Sequence, residues 1–434
     1  MTRRPEGRSL WSHADFRLLW AAATLSILGT ETVAVVMPLI AVTVLDAGPL
    51  AVSSLTFLAL APFLVLGLPA GVWVERRPRR PVLVACELAR AAALASIPAA
   101  WAWGALTLPH MYAVVVAVGV GRLLFDVAHT SYLPRLVDRA RLVEGNTKLY
   151  VSYAGGQVAG PSLAGAMLAV TAAPLAVVAD VAAFLASAHL LTRVRAAEPR
   201  RAPFDGERGV RAYAHDVGEG VRWIFGHPLL RPTIACAGVY SFGEAGIVSL
   251  FSLYAVRRLG LAPDEVAGVL AAGALGFPAG ALAARRAFAA LGVGRAAIAA
   301  AAVSCAGMLV VPLAPEGRPV PVLVAAWFAV WIGPSVFGIA SVSLRQALTP
   351  DRLQARQHAT ARVVVWGAMS LGALCAGVVG EVVGVRAALA AMGVVATSCL
   401  VPLLSSRPFR ALREVPAAGG APADDAAAAD VTAG

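Results

Sequence analysis

Residues 67–77 read GLPAGVWVERR, and residues 276–286, 209 positions later, read GFPAGALAARR. A G-[LF]-P-A-G followed three residues on by an Arg-Arg pair is hard to obtain by chance, and both copies end an apolar segment. The chain is therefore expected to consist of two related halves. A fainter echo falls at nearly the same offset: Arg141-Leu142 stands before Gly156 as Arg352-Leu353, 211 positions on, stands before Gly367.

What each half contains follows from where charge is missing. Of the 434 residues 59% are hydrophobic and 14% charged, and charges are nearly absent from stretches of about twenty residues, the length a helix needs to cross a bilayer core. Apolar runs bounded by Arg, Pro or Gly predict spans at 18–44, 51–74, 81–103, 111–130, 150–172, 174–192, 232–256, 265–284, 293–313, 320–342, 359–380 and 385–404. Six fall in each half. The expected fold is an all-α membrane protein, twelve transmembrane helices in two pseudo-symmetric six-helix bundles, with bundles at 1–195 and 232–406. A linker at 196–231 would join them, with helical spacing from Val210 to Phe225. A tail at 407–434, rich in Ala, Gly, Asp and Pro from Ala417 on, is predicted to be disordered. Parallel repeats of this size, each holding half of the spans, belong to transporters that rock two bundles about a central site.

A net charge of +11 raises the question of a nucleic-acid partner, and the placement of the 36 basic residues answers it. Arg90 and Arg122 lie within spans, and Arg257, Arg258, Arg318 and Arg386 fall on one side. All the others fall on the opposite side, which the positive-inside rule makes the cytoplasm, with both termini in it. The basic excess is thus assigned to topology and anionic lipid, and no nucleic-acid partner is expected. The polar N-terminal stretch leads into a span too long for a signal-peptide core, so nothing should be cleaved. Arg so strongly preferred over Lys, with abundant Ala, points to a bacterial plasma (inner) membrane.

Several chemistries are excluded. The single lysine, Lys148, lies in no G-x-x-x-x-G-K-[ST] pattern, so a nucleotide-hydrolysing P-loop cannot form. No His is followed by Glu and no G-x-S-x-G occurs, so the chain is not read as an enzyme. Cys86, Cys236, Cys305, Cys375 and Cys399 all sit in apolar spans without paired spacing; they predict packing residues, with no metal and no cofactor. The energy must come from an ion gradient or from the substrate's own.

Charged residues inside spans come next, since each costs several kcal/mol unless paired or facing water. Glu31, thirteen residues into span one, lies about 20 Å from its cytoplasmic start at a rise of ~1.5 Å per residue. Glu244 holds the same position in span seven, 213 residues later. A carboxyl in a dry span binds a proton and releases it when water or a guanidinium approaches, so Glu31 and Glu244 are the proton-coupling candidates. The competing reading is a carboxyl hydrogen-bonded to a neighbouring helix. Arg122 and Asp126, spaced i, i+4 on span four, share a face and are expected to form a static pair, although Arg122 could also hold an anionic substrate. With spans one, four, seven and ten lining the cavity, its candidates are Glu31, Thr32, Arg122, Asp126, Tyr240 and Glu244. Asp180 is read as a helix-packing acid, His129 and His189 as solvated, and Glu381 as part of an outer turn. Trp20, Trp73, Trp101, Trp103 and Trp366 are assigned to the aromatic belts.

The loop between spans two and three carries Gly71, Glu75, Arg76, Arg79 and Arg80. Glu75 sits at a helix C-terminus, where the macrodipole disfavours an anion. It needs a cation or another helix's N-terminus, and such a contact would latch the two halves. This loop resembles the Gly-x-x-x-Asp-Arg-x-Gly-Arg-Arg/Lys pattern of the major facilitator superfamily, with Glu75 for the Asp and Pro78 for the second Gly. Leu133 to Asn146, followed by Gly156-x-x-x-Gly160-Pro161-x-x-Ala164-Gly165, resembles the branch that includes the enterobactin and macrolide exporters, with Ala164 in place of a Gly. Gly156, Gly160, Pro161 and Gly165 would be its helix-packing motif. The resemblance implies a secondary active transporter in which an acid on the first helix is common. The reading is a monomer that exports a small, partly apolar compound (a drug, siderophore or secondary metabolite) against protons. The alternatives are an importer or facilitator, and a non-transporting membrane scaffold or sensor.

Overall fold

The computed structural model describes residues 10–137, 141–196, 218, 219 and 221–416, and no strand occurs among them. Six rods make the first half: Ala14–Thr43, Pro49–Val65 continued by Gly67–Glu75, Arg79–Ala102, Leu108–Leu136, Leu142–Val170 and Ala173–Arg193. Six make the second: Leu230–Arg257, Pro263–Ala274 continued by Gly276–Leu291, Val293–Val310, Pro319–Leu348, Asp351–Val383, and Val385–Thr397 continued by Leu400–Ser405. These are spans one to twelve. Ten are long and apolar enough by themselves to cross a membrane, and the Pro49–Val65 part of span two is a shorter apolar helix. Span five, Leu142–Val170, is more polar because glycines, Tyr150, Tyr153 and Gln157 stand where other spans carry aliphatic side chains. Spans one and eleven start at Ala14 and Asp351, several residues before their apolar runs, because a helical hydrogen-bond ladder continues into polar sequence.

The repeat explains the two breaks. In each copy the third residue, Pro69 or Pro278, has no N–H for the carbonyl four residues back, and these carbonyls belong to Val65 and Ala274, where the helical pieces end. The ladder resumes at once, with Ala70 N–H donating to Leu66 O at 2.8 Å and Ala279 N–H to Leu275 O at 3.2 Å. Two equivalent kinks therefore mark spans two and eight.

Packing repeats as well. Span pairs 1 and 6, 3 and 6, 3 and 4, 1 and 5, and 2 and 4 touch in the first half, and their counterparts 7 and 12, 9 and 12, 9 and 10, 7 and 11, and 8 and 10 touch in the second. The two bundles meet mainly through spans 2 and 11 and spans 5 and 8, which exchange under the same correspondence. This is the pattern of two bundles related by a pseudo-twofold axis.

Residues 210–217 and 220 of the expected linker helix lie outside the described residues, and 221–226 are helical. The tail departs from expectation over 407–416. Arg407–Ala411 forms a short helix with Phe409 fully buried, and Val293 and Gly294 donate N–H bonds to the carbonyls of Arg413 (3.1 Å) and Leu412 (2.9 Å). The Phe409 carbonyl sits where a Cβ on Gly294 would be, so only glycine admits this approach. Residues from 417 on lie outside the described residues.

Candidate functional site

Span five draws span one into place. A Cβ on Gly156 would lie 2.4 Å from Ile27 Cγ2, and one on Gly160 would lie 2.4 Å from Glu31 Cβ, so these glycines let the two backbones approach. Pro161 is buried beside them, and Gly165 faces Ala267 and Asp264 of span eight. Beside Glu31, the fully buried Thr32 hydroxyl lies 2.9 Å from Leu28 O and 3.2 Å from Gly160 O. Thr32 thus ties span one to span five and does not line the cavity, contrary to the sequence expectation. Helix rotation turns it away from Glu31.

Glu31 remains half-buried, and its Oε1 lies 4.0 Å from Arg122 Nη2 on span four. The Arg122 guanidinium also stands 5.2 Å from the centre of the Trp366 ring, which stacks on Phe63 at 4.2 Å. Trp366 of span eleven is therefore a contact between bundles and not a belt residue. Nor do Arg122 and Asp126 form the expected static pair: Asp126 reaches across to Arg362 of span eleven at 3.6 Å. The i, i+4 spacing does put both on one face, but each finds its opposite charge on a different helix.

The second bundle contributes a cavity of about 190 Å³ lined by Cys236, Tyr240, Ser241, Glu244, Phe337 and Arg345 among others. Its wall is built by the Tyr240 hydroxyl, 2.6 Å from Ser304 Oγ and 3.2 Å from Val330 O. Among the described residues Glu244 forms no ion pair, so the two acids that match along the repeat sit in unlike surroundings. The Cys305 and Cys399 sulfurs are 3.8 Å apart, and all five cysteines are free thiols.

The bundles are joined at the end away from the basic loops. There Arg257 pairs with Asp46 at 2.5 Å, Leu50 N–H donates to Glu381 Oε2 at 3.3 Å, and Gly377 and Gly380 lie against Ser53 and Pro49. Glu381 thus belongs to the last turn of span eleven and holds the other bundle. Beyond the kinks, Gly67–Glu75 packs chiefly on span four and Gly276–Leu291 on spans nine and ten, and on that side Asp126 and Arg362 link the bundles. In the loop read as a latch, Arg79 reaches Arg77 O at 3.0 Å and Ser131 Oγ at 3.4 Å, and Arg80 reaches the carbonyls of Leu191 and Thr192. These contacts lie within the first bundle. Arg76 is exposed, Gly71 has open space beside it, and the Glu75 side chain lies outside the described residues.

A feature missed in the sequence is a charged group inside the first bundle, formed by Glu87 and Arg90 of span three with Asp180 of span six, all essentially without solvent exposure. Its signal was present: two charges three residues apart in the middle of a predicted span. Among the described residues no cluster of His, Cys, Asp and Glu suits a metal ion.

Two kinked bundles of six rods, related by a pseudo-twofold axis, are the architecture of a membrane transporter. The chain belongs to the Major Facilitator Superfamily, whose sequence model matches residues 19–361. Solved structures share the fold. A bacterial homologue of the human lysosomal transporter Spinster, inward-facing and occupied, superposes with a TM-score of 0.68 at 15% identity, covering 93% of this chain and 98% of that one. The nucleoside transporter NupG gives 0.71 at 10% identity, covering 90% and 98%. A bacterial homologue of the iron transporter ferroportin, inward-facing, gives 0.64 at 17%, covering 92% and 100%. A nucleoside and iron are unlike cargoes, so the shared fold selects none. No curated protein matches the sequence.

Proposed function

We propose that this chain exports a small, partly apolar compound in exchange for protons, as a monomer in a bacterial plasma membrane with both termini cytoplasmic. The observation that carries the reading is Glu31, 4.0 Å from Arg122, between two bundles that are joined at the far end by Arg257 and Asp46. In this arrangement an ionised Glu31 is compensated by Arg122, as expected after a proton has left towards the basic side. A compound entering there meets an apolar wall with Tyr240 and Phe337, flanked by Glu244 and Arg345. Such a lining suits a drug, siderophore or secondary metabolite. After the bundles rock, a proton from the opposite side neutralises Glu31, frees Arg122, and allows the return. The enterobactin and macrolide exporter resemblance supports the direction, and Glu75 with Arg76, Arg79 and Arg80 remains the proposed latch of the opposite state.

The test is flux in proteoliposomes for a compound panel, with and without an imposed proton gradient, comparing wild type with Glu31→Gln. Wild-type flux should rise with the gradient, and the variant should exchange compound without responding to it. Equal gradient dependence in both would remove Glu31 from the coupling. Accumulation of compound in the direction of an inward proton gradient would make the protein an importer.

A further inference from the structure

Glu87 and Arg90 meet span one where spans one, three and six pack, and Asp180 stands one helical turn before Phe184, whose ring the Arg90 guanidinium covers. Arg90 Nη1 lies 3.2 Å from Glu87 Oε1 and 2.9 Å from Ser26 Oγ, its Nη2 reaches the Thr30 hydroxyl, and its guanidinium stacks 3.9 Å from the Phe184 ring. Ser26 in turn donates to Glu87 Oε1 at 2.8 Å. Every polar contact of Arg90 thus runs to Glu87 or to span one. Asp180, 0% exposed, has no hydrogen-bond partner for either oxygen, although it feels the Arg90 charge through space.

Charge counting settles what such a group can be. One guanidinium compensates one carboxylate, and a second carboxylate would leave a net negative charge in a dry helix bundle, at a cost of several kcal/mol. Glu87 has the guanidinium and a hydroxyl donor, whereas Asp180 has neither. We propose that Asp180, with Glu87 and Arg90, forms a buried proton-binding site inside the first bundle, separate from the central cavity, with the proton held on Asp180. The exchange is of one proton only, between the Asp180 carboxyl and water, with no other bond made or broken.

Its position links this site to the cavity without opening onto it. Arg90 touches Thr30, the chain neighbour of Glu31, and a Cβ on Gly121, the chain neighbour of Arg122, would lie 2.6 Å from Arg90 Cγ. A shift of span one against span four therefore disturbs the contacts that hold the Arg90 guanidinium. The groups facing the cluster are Ser26 and Thr30 from span one, Cys86 from span three and Ser187 from span six. Arg122 and Asp126 act on Arg90 through space from span four. The site goes beyond the coupling assigned to Glu31, and either can stand without the other.

The test reads Asp180 directly. Infrared difference spectra of the full chain in lipid vesicles at neutral pH, in H2O and D2O, should show a protonated-carboxyl C=O stretch. That band should be lost in Asp180→Asn and kept in Glu31→Gln and Glu87→Gln. If Asp180→Asn does not fold, Asp180→Glu should move the band. A band unchanged in the Asp180 variant, or lost in Glu87→Gln, would overturn the assignment, and neither result bears on gradient-driven flux through Glu31.

Discussion

The two bundles share kinks, rod order and neighbour pairs, yet they handle polarity inside the membrane in opposite ways. All the fully buried charged residues among those described lie in the first bundle, in Glu87, Arg90, Asp180 and the interfacial Arg79. Among the described residues the second bundle buries only neutral polar groups, such as Gln357 and Ser304, the latter bonded to the Tyr240 hydroxyl. The same asymmetry holds at the cavity. Glu31 has Arg122, but the corresponding stretch of span ten reads Trp331-Ile-Gly-Pro-Ser and offers Glu244 no cation. Duplication preserved the scaffold, which depends on glycine, proline and apolar periodicity, while the ionisable groups diverged. On the proposed account the first bundle handles protons and the second shapes the binding wall.

Five substitutions would break or sharpen that contrast. The largest effect is expected for Arg90→Ala, which leaves the buried Glu87 unpaired and should cost about 3–5 kcal/mol, read as a collapse of thermal stability in detergent. A much smaller loss would mean that water reaches the cluster. Next comes Gly377→Val, because a Cβ there would fall 1.7 Å from Ser53 Oγ. Overpacking of about 1–3 kcal/mol should open the far end, making Cys introduced at Ser53 reactive to an impermeant thiol reagent. Glu31→Gln should remove the gradient response, lowering gradient-driven flux by at least roughly tenfold, about 1.4 kcal/mol of coupling, whereas Glu244→Gln should change apparent affinity with the gradient response intact. If both behave alike, the division between bundles fails. Smallest is Tyr240→Phe, which removes a neutral hydroxyl bonded to Ser304 and should cost about 1 kcal/mol of stability.

Much of the scaffold was legible because the features that define it are local. Apolar runs marked the spans, and the G-[LF]-P-A-G copies marked the two halves, although the kinks that their prolines cause through a missing N–H were not read from them. Glu31, Arg122 and Glu244 stood out as charges in apolar runs. What sequence spacing does not encode is which helix a side chain meets. Asp126 finds Arg362, 236 positions away, rather than Arg122 four positions away. Trp366 looked like a belt residue because its depth was inferred from the apolar run alone, yet Phe63 and Arg122 cover it from the other bundle. Thr32 misled for a related reason: one residue's rotation around a helix separates the cavity from the span five interface.

Distances between spin labels on the reconstituted protein test the alternating opening most directly. One pair would sit at the far end, at Leu50 and Val382, and one towards the basic end, at Tyr150 and Leu291, all exposed positions. The account predicts that acidification or transported compound lengthens the first distance as it shortens the second. Two distances that stay fixed, or that change together in the same direction, would contradict it.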